Sequence, residues 1–263
     1  MLDEALTPQA LSPETLRIGF IGAGRLGKAL AWSFAERGLR VVAVASLASP
    51  TRTSAEGLAA RIAGCVVATQ QDTVDACNLV FVTTPDAAIA STLAQARWRP
   101  SSGVVHCSGV TEVAALDKAA RDGALTGGFH PMQTFGDPVA AVRSLAGCTV
   151  TIEAAEPLNS VLVALAGRLE CGVNRLPPGM RGRYHAAAGY TSQFINALFS
   201  EASKIWQSCG ATEEEAVRAL LPMARSAFGN SRCRWPALMS TSSTSRARAD
   251  RLRWRSGERG RAR

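Results

Sequence analysis

The sequence predicts an α/β protein with a doubly wound, mostly parallel sheet, followed by a smaller, mainly α-helical domain. Short apolar runs alternate with segments of helical spacing from residue 16 to about residue 130, which is typical of parallel strands joined by helices. A glycine-rich turn separates the first apolar run from the first helical segment. After Pro138 the alternation weakens and longer helical segments follow.

The first elements follow directly from local patterns. Residues 16–21 form a β-rich run, and residues 26–36 have helical spacing, with Gly38 placed to end that helix. Residues 41–45 are continuously apolar, as in a strand buried on both faces of a parallel sheet. Further strands are predicted at 65–68, 79–83, 104–107 and 125–128, and further helices at 54–62, 86–96 and 111–120.

Fewer strands are predicted in the part of the chain that follows Pro138. Residues 148–152 and 172–176 are candidate strands on either side of a helix at 158–169. One long helix is predicted over 180–207, and Thr212 caps a final helix that has acidic residues in its first turn. We therefore expect a flexible leader at 1–15, a sheet domain at 16–150, a helical substrate and dimerisation domain at 151–230 and a tail at 231–263.

Composition and charge exclude several classes of protein. With 47% hydrophobic and 19% charged residues, the 263-residue chain is not disordered as a whole. It lacks an apolar run near the ~18 residues of a membrane span and a basic, then apolar, signal segment, so a cytoplasmic protein is expected. Seven scattered cysteines without a Cys-x-x-Cys pair indicate reduced, mostly buried thiols, and no metal site is expected.

The net charge of +8 lies in the tail, because residues 1–230 hold equal numbers of basic and acidic residues. Ten arginines and few aliphatic residues predict a disordered segment. Such a tail either neutralises nucleic-acid phosphates or is a cloning remnant or frame-shifted gene end, and the second reading is favoured. With aromatics at only 6%, a nucleic-acid partner is not expected.

The glycine-rich turn matches the G-x-G-x-x-G pattern in its proper context, after a strand and at the start of a helix. Gly22 allows the tight turn, Gly24 the approach of a pyrophosphate and Gly27 the packing of helix on strand. The predicted dinucleotide-binding residues of this turn are Gly22, Ala23, Gly24, Arg25, Leu26 and Gly27.

The end of the second strand favours NADP over NAD. NAD enzymes place Asp or Glu about 20 residues after the glycines, but Ser46 stands here and residues 41–55 contain no carboxylate. Ser46 and Arg52, with Arg25, suit a 2′-phosphate, although solvated loop residues would look the same. Thr83, Thr84 and Pro85 end a buried strand at the edge where cofactors bind and are candidate cofactor contacts, with Thr83 and Thr84 predicted to face the nicotinamide ribose. The alternative is that the segment only leads into the next helix, with Asp86 as its cap.

The three histidines lie beside strand ends or the long helix. His106 falls in a strand-end run, Val105 to Gly109; His130 opens a His-Pro-Met-Gln-Thr-Phe run; and His185 follows Tyr184. A structural role is favoured for His106, whereas His130 and His185 are candidates for proton transfer near neutral pH.

Together with the glycine turn, the His-Pro-x-Gln-Thr-Phe run at 130–135 and Tyr184-His185-Ala-Ala-Ala resemble a family of NADP-type oxidoreductases. Its members have a Rossmann-like domain followed by a helical domain of unknown function, within the pyrroline-5-carboxylate reductase and 6-phosphogluconate dehydrogenase group. The resemblance covers residues 16–230. It implies a homodimer with an active site between the domains. Gln193 replaces the family's Asn, and the Arg-rich tail replaces a helical segment.

The resulting hypothesis is an NADP(H)-dependent oxidoreductase acting on a small carbonyl, hydroxyl or imine. Tyr184 or His185 would supply the proton, His130 and Gln133 would orient the substrate, and Ser108 would contact substrate or nicotinamide. The alternative is a non-catalytic NADP(H) sensor. It stays open because Arg181 and His185 occupy the spacing where hydroxyacid relatives carry Lys and Asn.

Overall fold

The computed structural model describes residues 11–46 and 51–229. Its eight-stranded sheet has the order β3-β2-β1-β4-β5-β6-β7-β8. All described strand pairs are parallel except β6 with β7. The strands are β1 (Ile18–Ile21), β2 (Val41–Ala45), β3 (Val66–Ala68), β4 (Leu79–Val82), β5 (Gly103–His106), β6 (Leu125–Pro131), β7 (Thr149–Ala154) and β8 (Gly172–Arg175).

Ten α-helices connect and follow these strands in the described part of the chain. They are α1 (Arg25–Glu36), α2 (Thr51–Ala59), α3 (Gln70–Ala76), α4 (Ile89–Ala94), α5 (Asp117–Arg121), α6 (Pro138–Ser144), α7 (Leu158–Arg168), α8 (Arg181–Thr191), α9 (Gln193–Gln207) and α10 (Glu213–Gly229). The predicted doubly wound α/β class is therefore confirmed.

The sheet has a hydrophobic core on each face. On one face, Phe20, Phe34, Phe81 and Phe129 form a cluster of fully buried rings, with Phe20 and Phe81 stacked at 5.4 Å between centroids. The core on the other face contains Val80, Val82 and Val104 together with side chains of α3, α4 and α5. Because both faces are covered by helices, the β2 and β4 strands are apolar at nearly every position.

Two short helices escaped prediction, and both begin at a side-chain cap. Thr69 accepts a hydrogen bond from the Asp72 N–H at 3.1 Å before α3, and Asp137 accepts from Val139 N–H at 3.0 Å before α6. A cap followed by only seven residues gives too little periodicity to recognise.

The prediction of a single helix over 180–207 is wrong, because Ser192 interrupts the helix. This residue has φ −125° and ψ −69°, outside helical values, and α9 starts at the next residue. Polar residues surround the break, and the glycine at 189 lowers helix propensity in the last turn of α8.

The sheet continues past residue 150 through β7 and β8, so the helices after it begin at α8. The described residues fall into two compact units, one ending at Asn196 and the other beginning at Ala197. In the second unit the predicted cap of α10 is present, since the Glu215 N–H donates to Thr212 Oγ1 at 3.3 Å and Glu215 accepts from the Thr212 N–H at 2.8 Å.

Residues 1–10 of the predicted leader and the whole Arg-rich tail at 231–263 lie outside the described residues. Within the rest of the leader, Leu11 is buried in the core.

No helix in the part of the chain that is described is long and apolar enough to cross a membrane. Of the described cysteines, only Cys77 and Cys107 are buried, so the prediction of mostly buried thiols is wrong.

Candidate active site at the carboxyl edge of the sheet

The glycine turn lies where the strand order reverses, because β1 has β2 on one side and β4 on the other. Gly22 has φ +106°, a conformation that favours glycine. A Cβ atom on Gly22 would also lie 2.8 Å from the carbonyl carbon of Thr83. Two features therefore require glycine at position 22: its positive φ angle and the close approach of the backbone at the end of β4.

The other two glycines have different surroundings. A Cβ on Gly27 would lie 2.5 Å from the carbonyl oxygen of Gly22, so only glycine lets α1 approach the turn this closely. A Cβ on Gly24 would meet no atom within 4 Å. The first helical bond joins Lys28 N–H to Gly24 O at 2.9 Å, so the three amides before Lys28 lie outside the helical ladder. These glycines leave an open approach to a helix N-terminus, as an anionic group requires.

The remaining residues of the turn are held by the fold. Ala23 is buried, and its carbonyl accepts a 2.6 Å hydrogen bond from Ser54 of α2. Leu26 packs against the core, while the Arg25 side chain is exposed and lines an open cleft described below.

The predicted 2′-phosphate residues follow β2. Ser46 directly follows this strand and is half-buried. Arg52 lies in the first turn of α2 and pairs with Glu56 at 3.2 Å. Because these side chains are 75% and 55% exposed, the ion pair is weak and its arginine is available to a stronger anion.

Thr83, Thr84 and Pro85 follow β4 at the same edge. Thr83 Oγ1 donates to the Gly22 carbonyl at 2.7 Å, so this side chain secures the glycine turn. Thr84 Oγ1 is buried without a hydrogen-bond partner in the described structure, which marks it as a group that a ligand would satisfy. Pro85 is exposed and begins a 3₁₀ turn.

The candidate proton-transfer groups come together between β6 and α8. His130 Nδ1 lies 2.7 Å from the hydroxyl of Tyr184, and one group donates to the other according to the imidazole tautomer. Burial, together with His185 and Arg181, lowers the pKa of His130 to about 4, so this ring is neutral at pH 7. Burial raises the pKa of Tyr184, which therefore keeps its proton.

His185 faces the same place as His130. A Cβ on Gly109 would lie 2.7 Å from His185 Nδ1 and 2.8 Å from His130 Nε2, so both nitrogens point at this backbone position. His185 Nδ1 is buried and has no partner among the described residues. The two imidazoles thus pack together against the Gly109 backbone.

Both imidazoles line a cleft of about 670 Å³. Its walls come from Arg25, the segment after β6, the last turns of α8 and the start of α9. Gln193, which replaces the family's Asn, is part of this wall. Tyr184 is not among the lining residues, so it contacts His130 from behind rather than facing the cleft.

Arg181 is the important residue that sequence reasoning missed as a site residue. Its guanidinium is fully buried, with Nε 2.7 Å from Glu153 and Nη1 2.7 Å from the Ser108 carbonyl. It also presses against Gly128, where any Cβ would collide with Nη2. The signal was its position four residues before His185, which places both side chains on one face of α8.

His106 lies in the core of the sheet, and the structural role favoured for it stays a prediction. The ring is fully buried and accepts a 3.2 Å hydrogen bond from the Ser108 N–H. Burial, followed by Arg181 and His130, lowers its pKa to about 3.

Two predicted contact residues use their polar groups within the protein. The Gln133 amide donates to the Ser144 carbonyl at 3.0 Å and accepts from Thr134 N–H at 2.8 Å, although the residue lines the cleft. The Ser108 hydroxyl accepts from the Thr111 N–H at 2.9 Å and closes a local turn. In this structure both residues therefore shape the loops around the site rather than present free polar groups to it.

Comparison with protein families assigns both parts of the chain. Residues 2–131 match a family model described as a Rossmann-like domain, and residues 148–250 match DUF2520, a domain of unknown function. The chain combines a Rossmann-like domain with a DUF2520 domain. The two-domain organisation implied by the resemblance is confirmed. A search of curated proteins finds no match.

Solved structures similar to this Rossmann-like and DUF2520 protein include oxidoreductases. A candidate NADP oxidoreductase from Bacteroides fragilis is 25% identical, with a TM-score of 0.68 and 82% of each chain covered. Pyrroline carboxylate reductase from Plasmodium falciparum, solved with NADP bound, is 11% identical with a TM-score of 0.61, covering 83% of this chain and 79% of that one.

An imine reductase from Myxococcus stipitatus, in complex with NADP+, is 19% identical with a TM-score of 0.57. The match covers 81% of this chain and 74% of that chain. These two more distant structures show that the fold is shared with NADP-binding reductases.

Proposed function

We propose that this protein is an NADP(H)-dependent oxidoreductase that transfers a hydride to or from a small carbonyl, hydroxyl or imine substrate. The observation that carries the proposal is that His130 and His185 line the same cleft as Arg25 of the glycine turn. A residue proposed to bind the dinucleotide and two residues proposed to transfer protons thus share one cleft, and all three belong to one compact unit of the chain.

The residues present fit the dinucleotide. The unobstructed approach to Gly24 and the free amides of the first turn of α1 suit a pyrophosphate. Ser46, Arg52 and Arg25 would receive the 2′-phosphate, and the unpartnered Thr84 hydroxyl would face the ribose next to nicotinamide. When bound, NADPH supplies the hydride.

Side chains of the protein would supply or accept the proton, and they would do so without placing an extra charge in the site. His130 is neutral at pH 7 and shares a hydrogen bond with the protonated Tyr184, so this pair holds a transferable proton without an added charge. His185 lines the cleft and would donate a proton to, or accept one from, a substrate atom held there. Tyr184 is a positioning residue, since it orients the His130 ring but does not line the cleft.

The proposal is tested by titrating the protein with NADPH and NADH and then following NADPH oxidation with a panel of small carbonyls and imines. We expect tighter binding of NADPH and turnover of at least one substrate class. In His185→Ala, turnover should fall by about 10²- to 10⁴-fold with unchanged NADPH affinity. Arg183→Ala is the matched control, because Arg183 lies on the same helix and is exposed.

Unchanged turnover in His185→Ala would remove this residue from the site. NADPH binding without oxidation across the panel would instead support the NADP(H) sensor.

A homodimer is also part of the proposal. Tyr190 and Phe194 stack at 4.9 Å while remaining 68% and 53% exposed, and exposed aromatic rings are enriched at protein interfaces. Light scattering should give the mass of two chains, and Phe194→Ser should weaken the association. A monomer at micromolar concentration would contradict this part.

A further inference from the structure

Cys148 and Cys171 form a close pair of thiols outside the candidate active site. Their sulfur atoms are 3.6 Å apart, and both residues are half-buried. They directly precede Thr149 and Gly172, which are paired in the parallel β7–β8 ladder. Neighbouring strands lie about 4.8 Å apart, which falls within the Cα separation of roughly 4.4–6.8 Å found in disulfides.

Backbone hydrogen bonds hold this pair in place from both sides. The Gly172 N–H donates to the Cys148 carbonyl at 2.9 Å, and the Gly147 N–H donates to the Glu170 carbonyl at 2.9 Å. The backbone therefore fixes the distance between the two residues, and only the side chains need to rotate for the sulfurs to bond.

The other described cysteines lack such a neighbour. Cys77 and Cys107 are buried, and burial raises the pKa of Cys77 to about 12 and that of Cys65 to about 11. Cys209 is exposed, and its thiol donates to the Ile205 carbonyl.

The two thiols of the pair are not equivalent. The contact between the two sulfur atoms lowers the pKa of Cys148, whereas the same contact and burial raise the pKa of Cys171. Cys171 Sγ also lies 3.2 Å from the Leu145 carbonyl, a second acceptor for its proton. This difference, with the Leu145 carbonyl beside Cys171 to hold its proton, favours Cys148 as the nucleophile and Cys171 as the second, resolving thiol.

We propose that Cys148 and Cys171 are an oxidative modification site, which a small disulfide of the glutathione class converts into an intramolecular disulfide. The Cys148 thiolate attacks one sulfur of the small disulfide, forming a mixed disulfide and releasing one thiolate. Cys171 loses its proton and attacks the Cys148 sulfur, which releases the second thiolate. The protein loses two electrons and two protons, and the small disulfide is reduced to two thiols.

The experiment treats the purified full chain with oxidised glutathione, blocks free thiols with iodoacetamide and maps the peptides by mass spectrometry. We expect a Cys148–Cys171 cross-linked peptide that dithiothreitol reverses. Cys171→Ser should trap glutathione on Cys148, and Cys148→Ser should leave Cys171 alkylated. Cys209→Ser is the matched control and should form the same cross-link as the unmodified sequence.

Alkylation of both Cys148 and Cys171 in a sample whose exposed Cys209 carries glutathione would overturn the proposal. So would a Cys171→Ser variant in which Cys148 carries no glutathione under the same conditions. Circular dichroism of each serine variant verifies that the fold is retained, so that either result concerns the thiols themselves.

Discussion

Replacing Gly24 by alanine separates dinucleotide binding from stability of the fold. Gly24 has φ −69° and ψ −175°, which any residue adopts, and its new methyl group would meet no protein atom within 4 Å. Loss of glycine flexibility in the unfolded chain stabilises by about 0.4–1 kcal/mol, whereas alanine is a poorer N-cap than glycine by a similar amount. The free energy of unfolding should therefore change by less than about 1 kcal/mol.

NADPH affinity should fall in the same variant, because the methyl group takes the space through which the pyrophosphate approaches. Overpacking of this kind costs about 1–3 kcal/mol, which corresponds to a rise in Kd of about 5- to 150-fold. Fluorescence titration with NADPH measures the affinity, and urea unfolding measures the stability.

Gly57→Ala is the matched control for Gly24→Ala. Gly57 is an exposed position in α2, with nothing within 4 Å of its Cβ position, so alanine should stabilise the helix by about 0.5–1 kcal/mol and leave the Kd unchanged. An unchanged Kd in Gly24→Ala would refute the assignment of this turn as the pyrophosphate cradle.

Three further changes test the packing and charges around the site. Gly27→Ala should lower the thermal melting temperature, because its Cβ would lie 2.5 Å from a backbone oxygen, and a melting temperature equal to that of the unmodified protein would contradict this. Arg181→Ala should destabilise by about 3–5 kcal/mol in urea unfolding, because Glu153 would be left as an unpaired, largely buried charge; adding Glu153→Gln should restore part of the loss. The free energy of unfolding should fall as the pH is lowered from 7 towards 4, by up to about 1.4 kcal/mol per pH unit for each histidine, because the unfolded chain binds protons near pH 6.5 while His106 and His130 stay neutral until about 3 and 4. His106→Asn should reduce this slope, and an equal slope would show that His106 does not cause it.

Much of the first half of the fold was predictable because its signals are local. The apolar run at Val41–Ala45 was placed at its observed bounds, and the G-x-G-x-x-G turn appears between β1 and α1 as expected. A strand buried on both faces must be apolar along its length, and a turn with φ +106° at Gly22 favours glycine, so each leaves its own mark in the sequence.

The second half was harder because its signals are weak or absent. The break at Ser192 has no proline or paired glycines to mark it, so α8 and α9 were predicted as one helix. β8 is fully exposed and has few apolar residues, so its membership of the sheet depends on pairing with β7 rather than on its composition.

The sequence by itself determined the fold class, the dinucleotide turn and the histidines worth considering, because each depends on residues close together in the chain. Only the tertiary structure decided which groups meet. It brought Arg181 to Glu153, set Tyr184 behind His130, turned the side chains of Gln133 and Ser108 towards their own loops and paired Cys148 with Cys171. Those contacts join segments that are distant in sequence or depend on strand register, and neither spacing nor composition fixes them.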